Sequence, residues 1–457
     1  MLKKQDGFTP NKESKNIVLF QNPDSELFQT LNDKLNQKLS SLDASKMHTV
    51  HTLENLPMEK VYLLGGKTFE DSEKRDKTLK QVCDIEEETL ILLDTFPAES
   101  ISLAIEKTLY HLYRFNRFKQ KDKKDEAVVY YTVSQEHEDA VNEGFVFGEA
   151  INNTRELVNT PYNFLNAEKL AEYAKNLERF ENIKVRILEK GDCEQLNMGA
   201  YLGVNAGSKD APKFIHVEYE NAPDSKEKTA LVGKGIMYDT GGYSLKSVKG
   251  MPTMKCDMGG AATVLGAIEA IARMGYKANV SVMIAATDNR IGDHAHVPDD
   301  ILRAASGHTI EIISTDAEGR LTLADALWYA QEKGASRIVD IATLTGGVVA
   351  ALGTYHTGAF TNNEDFYSLL SQTAKDSNEK IWRLPVDKAH HDTLKSPYAD
   401  IKNSGGRMAA ASVAAAFLET FVQKDIPWIH LDIAGTAYEE KKGASGVMVK
   451  TLAKMFA

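Results

Sequence analysis

The feature that most constrains the fold is an alternation of short apolar segments with alanine- and glycine-rich segments from about residue 159 onward. The apolar segments have the length of buried strands, and the segments between them have the length of helices. Strands that alternate with helices along a chain usually form a parallel sheet with helical crossovers. The predicted strands are 214–218, 229–232, 280–286, 338–341 and 429–433, and the predicted helices are 259–274, 321–333 and 409–422.

The preceding part of the chain has a different composition. Residues 1–135 are rich in charged side chains, and apolar runs at 61–64, 89–93 and 127–132 indicate strands, whereas 101–113 has apolar residues at helical spacing. This pattern predicts a small N-terminal α/β domain.

Residues 136–158 have a helical pattern that ends just before Pro161, since proline disfavours a helical conformation in the residue before it. The sequence therefore predicts an α/β protein with three parts. A small N-terminal α/β domain (1–135) is joined by a long helix (136–158) to a larger C-terminal α/β domain (159–457) with a mostly parallel central sheet.

The composition excludes several classes of protein. The chain has 54 Lys and Arg against 65 Asp and Glu, a net charge of −11, which disfavours nonspecific binding to nucleic acid but suits the collection of metal cations. The three cysteines are far apart and form no CxxC pair, which argues against a disulfide framework or a thiolate zinc site. No segment approaches ~18 uninterrupted apolar residues and no signal peptide is recognisable, so we expect a cytoplasmic enzyme that does not enter a membrane.

The first motif, VGKGIMYDTGGYSLK at 232–246, follows a predicted buried strand and contains Lys234, Asp239 and Lys246. In an open α/β sheet, ligands bind in loops at the carboxyl ends of the strands, and glycines let the backbone approach a ligand closely. The spacing does not fit the phosphate loop GxxxxGK[ST]. A glycine-rich turn with surface lysines is the plainer alternative.

The second motif, MKCDMGGAA at 254–262, places Asp257 just before the predicted helix 259–274. Aspartate is a common N-cap residue, so helix capping is the better interpretation of this motif taken alone.

The third motif, STDAEGRL at 314–321, has Asp316, Glu318 and Arg320 at alternate positions. In an extended segment these side chains would point to one face. Apolar flanking residues indicate that the segment is buried, and buried carboxylates are usually paired or bound to metal. A surface salt-bridge patch is the alternative.

Taken together, the motifs supply four carboxylates, those of Asp239, Asp257, Asp316 and Glu318. Two divalent cations would cancel their charge, and paired metals held by shared carboxylates suit metal-assisted hydrolysis. The chain has no HExxH motif, and its histidines do not have the spacing of zinc ligands on a helix.

The three motifs, with their mutual spacing, closely resemble the signature of the leucyl (cytosol) aminopeptidases, the M17 family of dinuclear metallopeptidases. The similarity also covers LVNTPYN (157–163), DIATLTGG (340–347), IKNSGGRMAAASVAAAF (401–417) and HLDIAGTA (430–437). The resemblance implies that 159–457 is a metallopeptidase domain that removes the N-terminal residue from short peptides.

The resemblance also implies two divalent metal ions per subunit, with zinc or manganese expected first and magnesium or cobalt as alternatives. Asp239 and Glu318 would bridge the two ions. Asp316 would complete one site, and Lys234 and Asp257 would complete the other.

The remaining implied roles concern catalysis and substrate. A metal-bridging water would be the nucleophile, Lys246 would polarise the scissile carbonyl, and Arg320 would hold a bicarbonate ion that acts as general base. The residues expected to line the site for the first side chain and the peptide are Met254, Thr343, Leu344, Gly346 and Ala434.

The resemblance further implies a homo-oligomer, specifically a hexamer. Two other functions are alternatives to this prediction. A two-metal phosphoesterase would normally add histidine ligands, and none is placed to serve. Some bacterial members of the family also act as DNA-binding regulators, but the acidic net charge and the lack of a basic cluster outside 119–124 argue against binding to nucleic acid.

Overall fold

A computed structural model of the chain describes residues 1–5, 16–36, 38–52, 59–85, 87–120 and 129–457. The described residues form two compact units, Met1–Asn152 and Asn153–Ala457. Most of the basic cluster at 119–124 and the first two residues of the predicted strand 127–132 lie outside the described residues.

The first unit contains a mixed sheet with helices against it. Its strands are β1 (Leu2–Lys4), β2 (Asn16–Phe20), β3 (Met47–His51), β4 (Lys60–Leu64), β5 (Thr89–Leu92) and β6 (Val129–Thr132). Its helices are α1 (Glu26–Lys34), α2 (Ser72–Cys83), α3 (Ala98–Leu112) and α4 (Glu138–Asn159), the last of which continues into the second unit.

Within the described residues, the strand order of this sheet is β1-β6-β5-β2-β4-β3, and the edge strand β3 alone runs antiparallel to its neighbour. Successive side chains of a strand point to opposite faces of its sheet. Accordingly, Ile17 and Leu19 belong to one apolar cluster, and Val18 and Phe20 belong to another. Strand β2 is therefore buried on both faces.

The second unit holds a larger sheet and most of the helices. Its strands are β7 (Ile183–Leu188), β8 (Lys213–Glu220), β9 (Thr229–Gly233), β10 (Gly235–Asp239), β11 (Asn279–Asn289), β12 (Ile301–Arg303), β13 (Thr309–Glu311), β14 (Arg337–Ala342), β15 (Thr357–Thr361), β16 (Ile381–Arg383), β17 (Ile401–Lys402), β18 (Trp428–Asp432), β19 (Tyr438–Glu439) and β20 (Gly443–Ala444). Its helices are α5 (Ala167–Lys175), α6 (Lys190–Gln195), α7 (Gly199–Asn205), α8 (Gly259–Met274), α9 (Gly319–Glu332), α10 (Gly346–Leu352), α11 (Glu364–Asp376), α12 (Lys388–Asp392), α13 (Ala410–Glu419) and α14 (Val449–Lys454).

The large sheet has the order β16-β15-β18-β14-β9-β11-β8-β7, and β10 pairs additionally with β11. Its centre, from β18 to β11, is parallel, which confirms the predicted α/β class with a mostly parallel sheet. The parallel orientation expected for the strand at 214–218 is wrong, because β8 runs antiparallel to β11. The connection from β8 to β9, residues 221–228, is too short for the helical crossover that a parallel strand requires.

The glycine pair in MKCDMGGAA lets helix α8 begin in direct contact with the sheet. A Cβ atom on Gly260 would lie 2.0 Å from the carbonyl oxygen of Ile341 in β14, a distance that no side chain tolerates. The close packing sets the N-terminus of α8, and the turn that precedes it, beside the carboxyl ends of β9 and β14.

Candidate metal centre

Polar side chains gather where the central strands end. Lys234 follows β9, Asp239 ends β10, Asn289 ends β11, and Thr343 follows β14. The pairing of β10 with β11 shifts register between Ile236 and Asp239, so that Asp239 lies opposite Asn289. Asp239 was expected in a glycine-rich loop, but the segment after Lys234 forms a second short strand that ends at this aspartate.

Three carboxylates meet at this edge of the sheet. Each of Asp239, Asp316 and Glu318 offers an oxygen atom, and these atoms all lie within 4.8 Å of one another. Asp239 and Glu318 are buried, whereas Asp316 is exposed. The expectation that the whole of the third motif is buried is therefore wrong.

The third motif is not extended. Asp316 lies in a turn, and helix α9 begins directly after Glu318, so both acids precede the helix and Arg320 lies within it. The Arg320 guanidinium is buried and donates a hydrogen bond of 2.6 Å to the carbonyl oxygen of Asn403. Its Nε atom has no hydrogen-bond partner among the described residues.

Lys234 is buried between carboxylates. Its Nζ lies 2.8 Å from both oxygens of Asp257 and 3.1 Å from Oε1 of Glu318. Burial lowers the pKa of Lys234, but these carboxylates raise it more, and the net direction is upward. A Cβ on Gly319 would lie 2.3 Å from Cε of Lys234, so glycine at this position makes room for the lysine.

Asp257 does not cap a helix. It lies in a short 3-10 turn, Met254–Met258, and the N-cap residue of α8 is Met258. The Oδ1 atom of Asp257 accepts hydrogen bonds of 2.8 Å from Lys234 Nζ and from the Thr343 hydroxyl. The interpretation as an N-cap is wrong, because this carboxylate faces the cluster.

Lys246 completes the charged centre. Its Nζ lies 2.6 Å from Oδ2 of Asp239 and 2.5 Å from Oδ1 of Asp316. Burial lowers its pKa, and the carboxylates, Asp239 foremost, raise it more, so that the side chain remains an ammonium.

Negative charge exceeds positive charge in this centre, since four carboxylates face two ammonium groups. Burial, followed by the charge of Glu318, raises the pKa of Asp239 to about 6. Buried carboxylates are stable when a cation neutralises them. The donor set, dominated by carboxylate oxygens that lie close together, therefore fits divalent cations such as Zn²⁺, Mn²⁺ or Mg²⁺.

The residues expected to contact substrate lie on neighbouring segments. Met254 begins the same 3-10 turn that holds Asp257, and Gly346 is the first residue of α10. Asp432 connects Leu344 and Ala434, because its Oδ1 accepts hydrogen bonds from both backbone N–H groups at 3.1 Å, whereas the Thr343 hydroxyl donates to Asp257.

Sequence reasoning missed three buried polar residues of this region, which are Asn289, Asn403 and Asp432. Asn289 and Asp432 are each the last residue of a strand, and Asn403 directly follows β17. A polar residue at the end of an apolar run was a usable signal, but the predicted strand at 280–286 stopped short of Asn289.

Known proteins resemble this chain in sequence and in fold. Residues 152–453 match the cytosol aminopeptidase family, catalytic domain. A probable cytosol aminopeptidase of Bacillus subtilis (strain 168) is 41% identical over 462 aligned residues, which cover 94% of this chain and 92% of the relative. A probable cytosol aminopeptidase of Bacillus licheniformis is 40% identical, with 93% and 92% covered. A solved structure of a mutant tomato leucine aminopeptidase superposes with a TM-score of 0.85 at 31% identity, covering 100% of this chain and 96% of that one.

The fold, the motifs and these similarities define a metal-dependent aminopeptidase. The chain belongs to the cytosol aminopeptidase family, M17. None of the helices in the described part of the chain combines the length and the apolar character needed to cross a membrane.

Proposed function

We propose that the chain releases the N-terminal residue of short peptides with two divalent metal ions held by five side chains. The proposed ligands are Lys234, Asp239, Asp257, Asp316 and Glu318. The observation that carries the proposal is the convergence of four carboxylates with only two ammonium groups at the carboxyl ends of the central strands. When bound, the ions would supply Lewis acidity and a nucleophile that is available near neutral pH.

The two lysines of the centre have different roles in this proposal. Lys234 is enclosed by Asp257 and Glu318, so its Nζ faces the other proposed ligands rather than the substrate. It would bind an ion as the neutral amine, after its proton is lost. Lys246 is partly accessible to solvent, at 17% exposed, and its ammonium adjoins Asp239 and Asp316. It can therefore donate to the carbonyl oxygen of a peptide and stabilise the negative charge that develops there.

Arg320 is proposed to hold bicarbonate, which would act as general base. Burial lowers the pKa of this guanidinium to about 10, which indicates that its charge is poorly compensated. Its buried Nε has no hydrogen-bond partner among the described residues, so an anion beside it would receive a free donor.

Specificity for an N-terminal residue would come from two features. Asp257, beside the proposed second metal position, can accept a hydrogen bond from a free α-amine. The first side chain would contact residues of the segments around the cluster, which are Met254, Thr343, Leu344, Gly346 and Ala434.

Removal of metal is the direct test of this function. Exhaustive chelation of the full chain should abolish hydrolysis of aminoacyl anilides, and added Zn²⁺, Mn²⁺, Mg²⁺ or Co²⁺ should restore it to different extents. An N-acetylated anilide is the matched control and should not be cleaved by any form. Full activity of a sample verified to be free of metal would contradict the proposal.

We also propose that the chain acts in the cytoplasm as a homohexamer. Analytical ultracentrifugation of the full chain should give the mass of six copies. An active, stable monomer at micromolar concentration would contradict the hexamer without affecting the proposed chemistry.

A further inference from the structure

Asn289 is a buried amide in direct contact with the carboxylate cluster. It is the last residue of β11 and is 1% exposed. Its Nδ2 donates hydrogen bonds of 2.9 Å to Oδ1 of Asp239 and 2.9 Å to the carbonyl oxygen of Thr315, and lies 3.4 Å from Oε2 of Glu318. Because all three neighbours can only accept, chemistry fixes which end of the amide faces them.

The two carboxylate oxygens of Asp239 have different partners. Oδ1 accepts from Asn289 and also from the N–H of Gly241 at 2.8 Å. Oδ2 faces the ammonium of Lys246 at 2.6 Å. The Asn289 amide and a backbone N–H therefore occupy Oδ1, whereas Oδ2 faces the centre of the cluster, where the Lys246 ammonium contacts it.

The same amide also fixes the segment that carries the other two acids. Thr315, whose carbonyl accepts from Asn289, directly precedes Asp316. Its hydroxyl donates to the carbonyl of Gly241 at 2.6 Å and accepts from the N–H of Ser244 at 2.7 Å. The Asn289 side chain thus connects β10 to the turn before α9, and the Thr315 hydroxyl connects that turn to the loop after β10.

We propose that Asn289 is a positioning residue, which sets the orientation of Asp239 and Glu318 so that their oxygens can share metal ions. This inference rests on the proposed function, in which both carboxylates are ligands. Hydrogen-bond partners of metal ligands fix ligand geometry, and their loss typically lowers metal affinity about 10- to 100-fold. An amide suits the position because a carboxylate there would repel three acceptor oxygens.

Metal titration of the full chain tests the proposal with a readout other than activity. Asn289→Leu keeps the branched shape of the side chain, although it is larger, and removes the donor. Asn289→Ala serves if the leucine variant does not fold. In calorimetric titration of metal-stripped protein with Mn²⁺, we expect affinity to fall about 10- to 100-fold. The visible spectrum of the Co²⁺-loaded variant should also change, because ligand geometry around the ion changes.

Asn205→Ala is the matched control. Asn205 is also a buried asparagine next to β11, but its Nδ2 donates to Thr287 Oγ1 at 3.0 Å and to the Asp210 carbonyl at 2.9 Å. This variant should lose stability and keep wild-type Mn²⁺ affinity. Equal Mn²⁺ affinity in wild type and in the Asn289 variants, or an equal loss in Asn205→Ala, would overturn the positioning role.

Asp239→Ala separates failure of the inference from failure of the proposed function. If Asp239→Ala binds Mn²⁺ as tightly as wild type, the proposed metal centre is wrong. If Asp239→Ala loses Mn²⁺ and the Asn289 variants do not, the proposed metal centre is supported and the positioning role of Asn289 is wrong.

Discussion

The ammonium nitrogen of Lys246 lies 2.6 Å from Oδ2 of Asp239, the oxygen that the protein backbone and Asn289 leave free. The same nitrogen lies 2.5 Å from Asp316. Without metal, the lysine thus supplies part of the positive charge that the cluster needs. In the proposed function, the same ammonium would act on the peptide carbonyl once metal and substrate are bound.

The first prediction concerns Lys246→Ala. Turnover of an aminoacyl anilide should fall about 10²- to 10³-fold with little change in KM, because the ammonium acts mainly on charge that develops in the transition state. Affinity for Mn²⁺ should not decrease, since the variant removes a competing cation. Lys249→Ala, an exposed lysine of the same loop, is the control. A steep rise in KM with unchanged turnover would make Lys246 a binding residue only.

The second prediction concerns Lys234→Met, which removes the amine and roughly preserves the bulk. Metal analysis should show loss of one of the two proposed ions, while the site of Asp239, Asp316 and Glu318 still binds. Gly319→Ala should have a similar but weaker effect, because the added methyl would collide with the lysine side chain. Wild-type metal content in Lys234→Met would remove this residue from the proposed ligands.

The fold was predictable because strands that are buried on both faces of a sheet appear in the sequence as continuous apolar runs. Apolar runs such as 280–286 and 338–341 indicated the central strands, and the alternation with helices indicated parallel pairing. The orientation of β8 was not predictable from its composition, since a buried antiparallel strand has the same apolar pattern. Its direction depends on the short connection at 221–228.

The site was predictable to the extent that its acids follow strands. Asp239 could be placed at one edge of the central sheet by the general rule for open α/β proteins, whereas Glu318 follows β13, which belongs to a separate three-stranded sheet. Local conformation was harder to predict, because the alternating charged residues of the third motif resembled an extended segment. In the structure, both acids precede α9 and Arg320 lies within it. Asn289 and Asp432 were missed, since one polar residue at the end of an apolar run resembles a strand boundary.

The third prediction concerns Asp432, which is 1% exposed and holds the two segments proposed to contact substrate. Besides the N–H groups of Leu344 and Ala434, it accepts a hydrogen bond of 2.7 Å from the Thr345 hydroxyl. Asp432→Ala should raise KM for aminoacyl anilides about tenfold, since loss of hydrogen bonds to a buried charge costs about 1.5–3 kcal/mol. Asp432→Asn keeps one acceptor oxygen and should have a smaller effect. A fall in Tm without any change in KM would show that Asp432 only stabilises the fold.

The final prediction concerns pH and Asp325, a fully buried carboxyl group in α9. It accepts hydrogen bonds from the N–H groups of Tyr201 at 2.8 Å and Ala305 at 2.7 Å. Burial raises its pKa to about 7, although these donors favour the charged form. In the unfolded chain its pKa is about 3.9. At a pH between these two pKa values, the Asp325 carboxyl group is protonated in the folded protein and ionised in the unfolded chain.

The contribution of Asp325 to the free energy of unfolding is therefore greatest at acidic pH and falls as the pH rises through about 7. Asp325→Asn removes the titratable group. One of the two backbone N–H donors then faces the NH2 group of the asparagine side chain instead of an oxygen. Urea unfolding should show that the loss of unfolding free energy on substitution is larger at pH 5 than at pH 8, by about 2 kcal/mol. Asp293→Asn, at an exposed position, is the control and should change stability little at either pH. A larger loss at pH 8 than at pH 5 would show that the backbone donors outweigh burial and that Asp325 is charged in the folded protein.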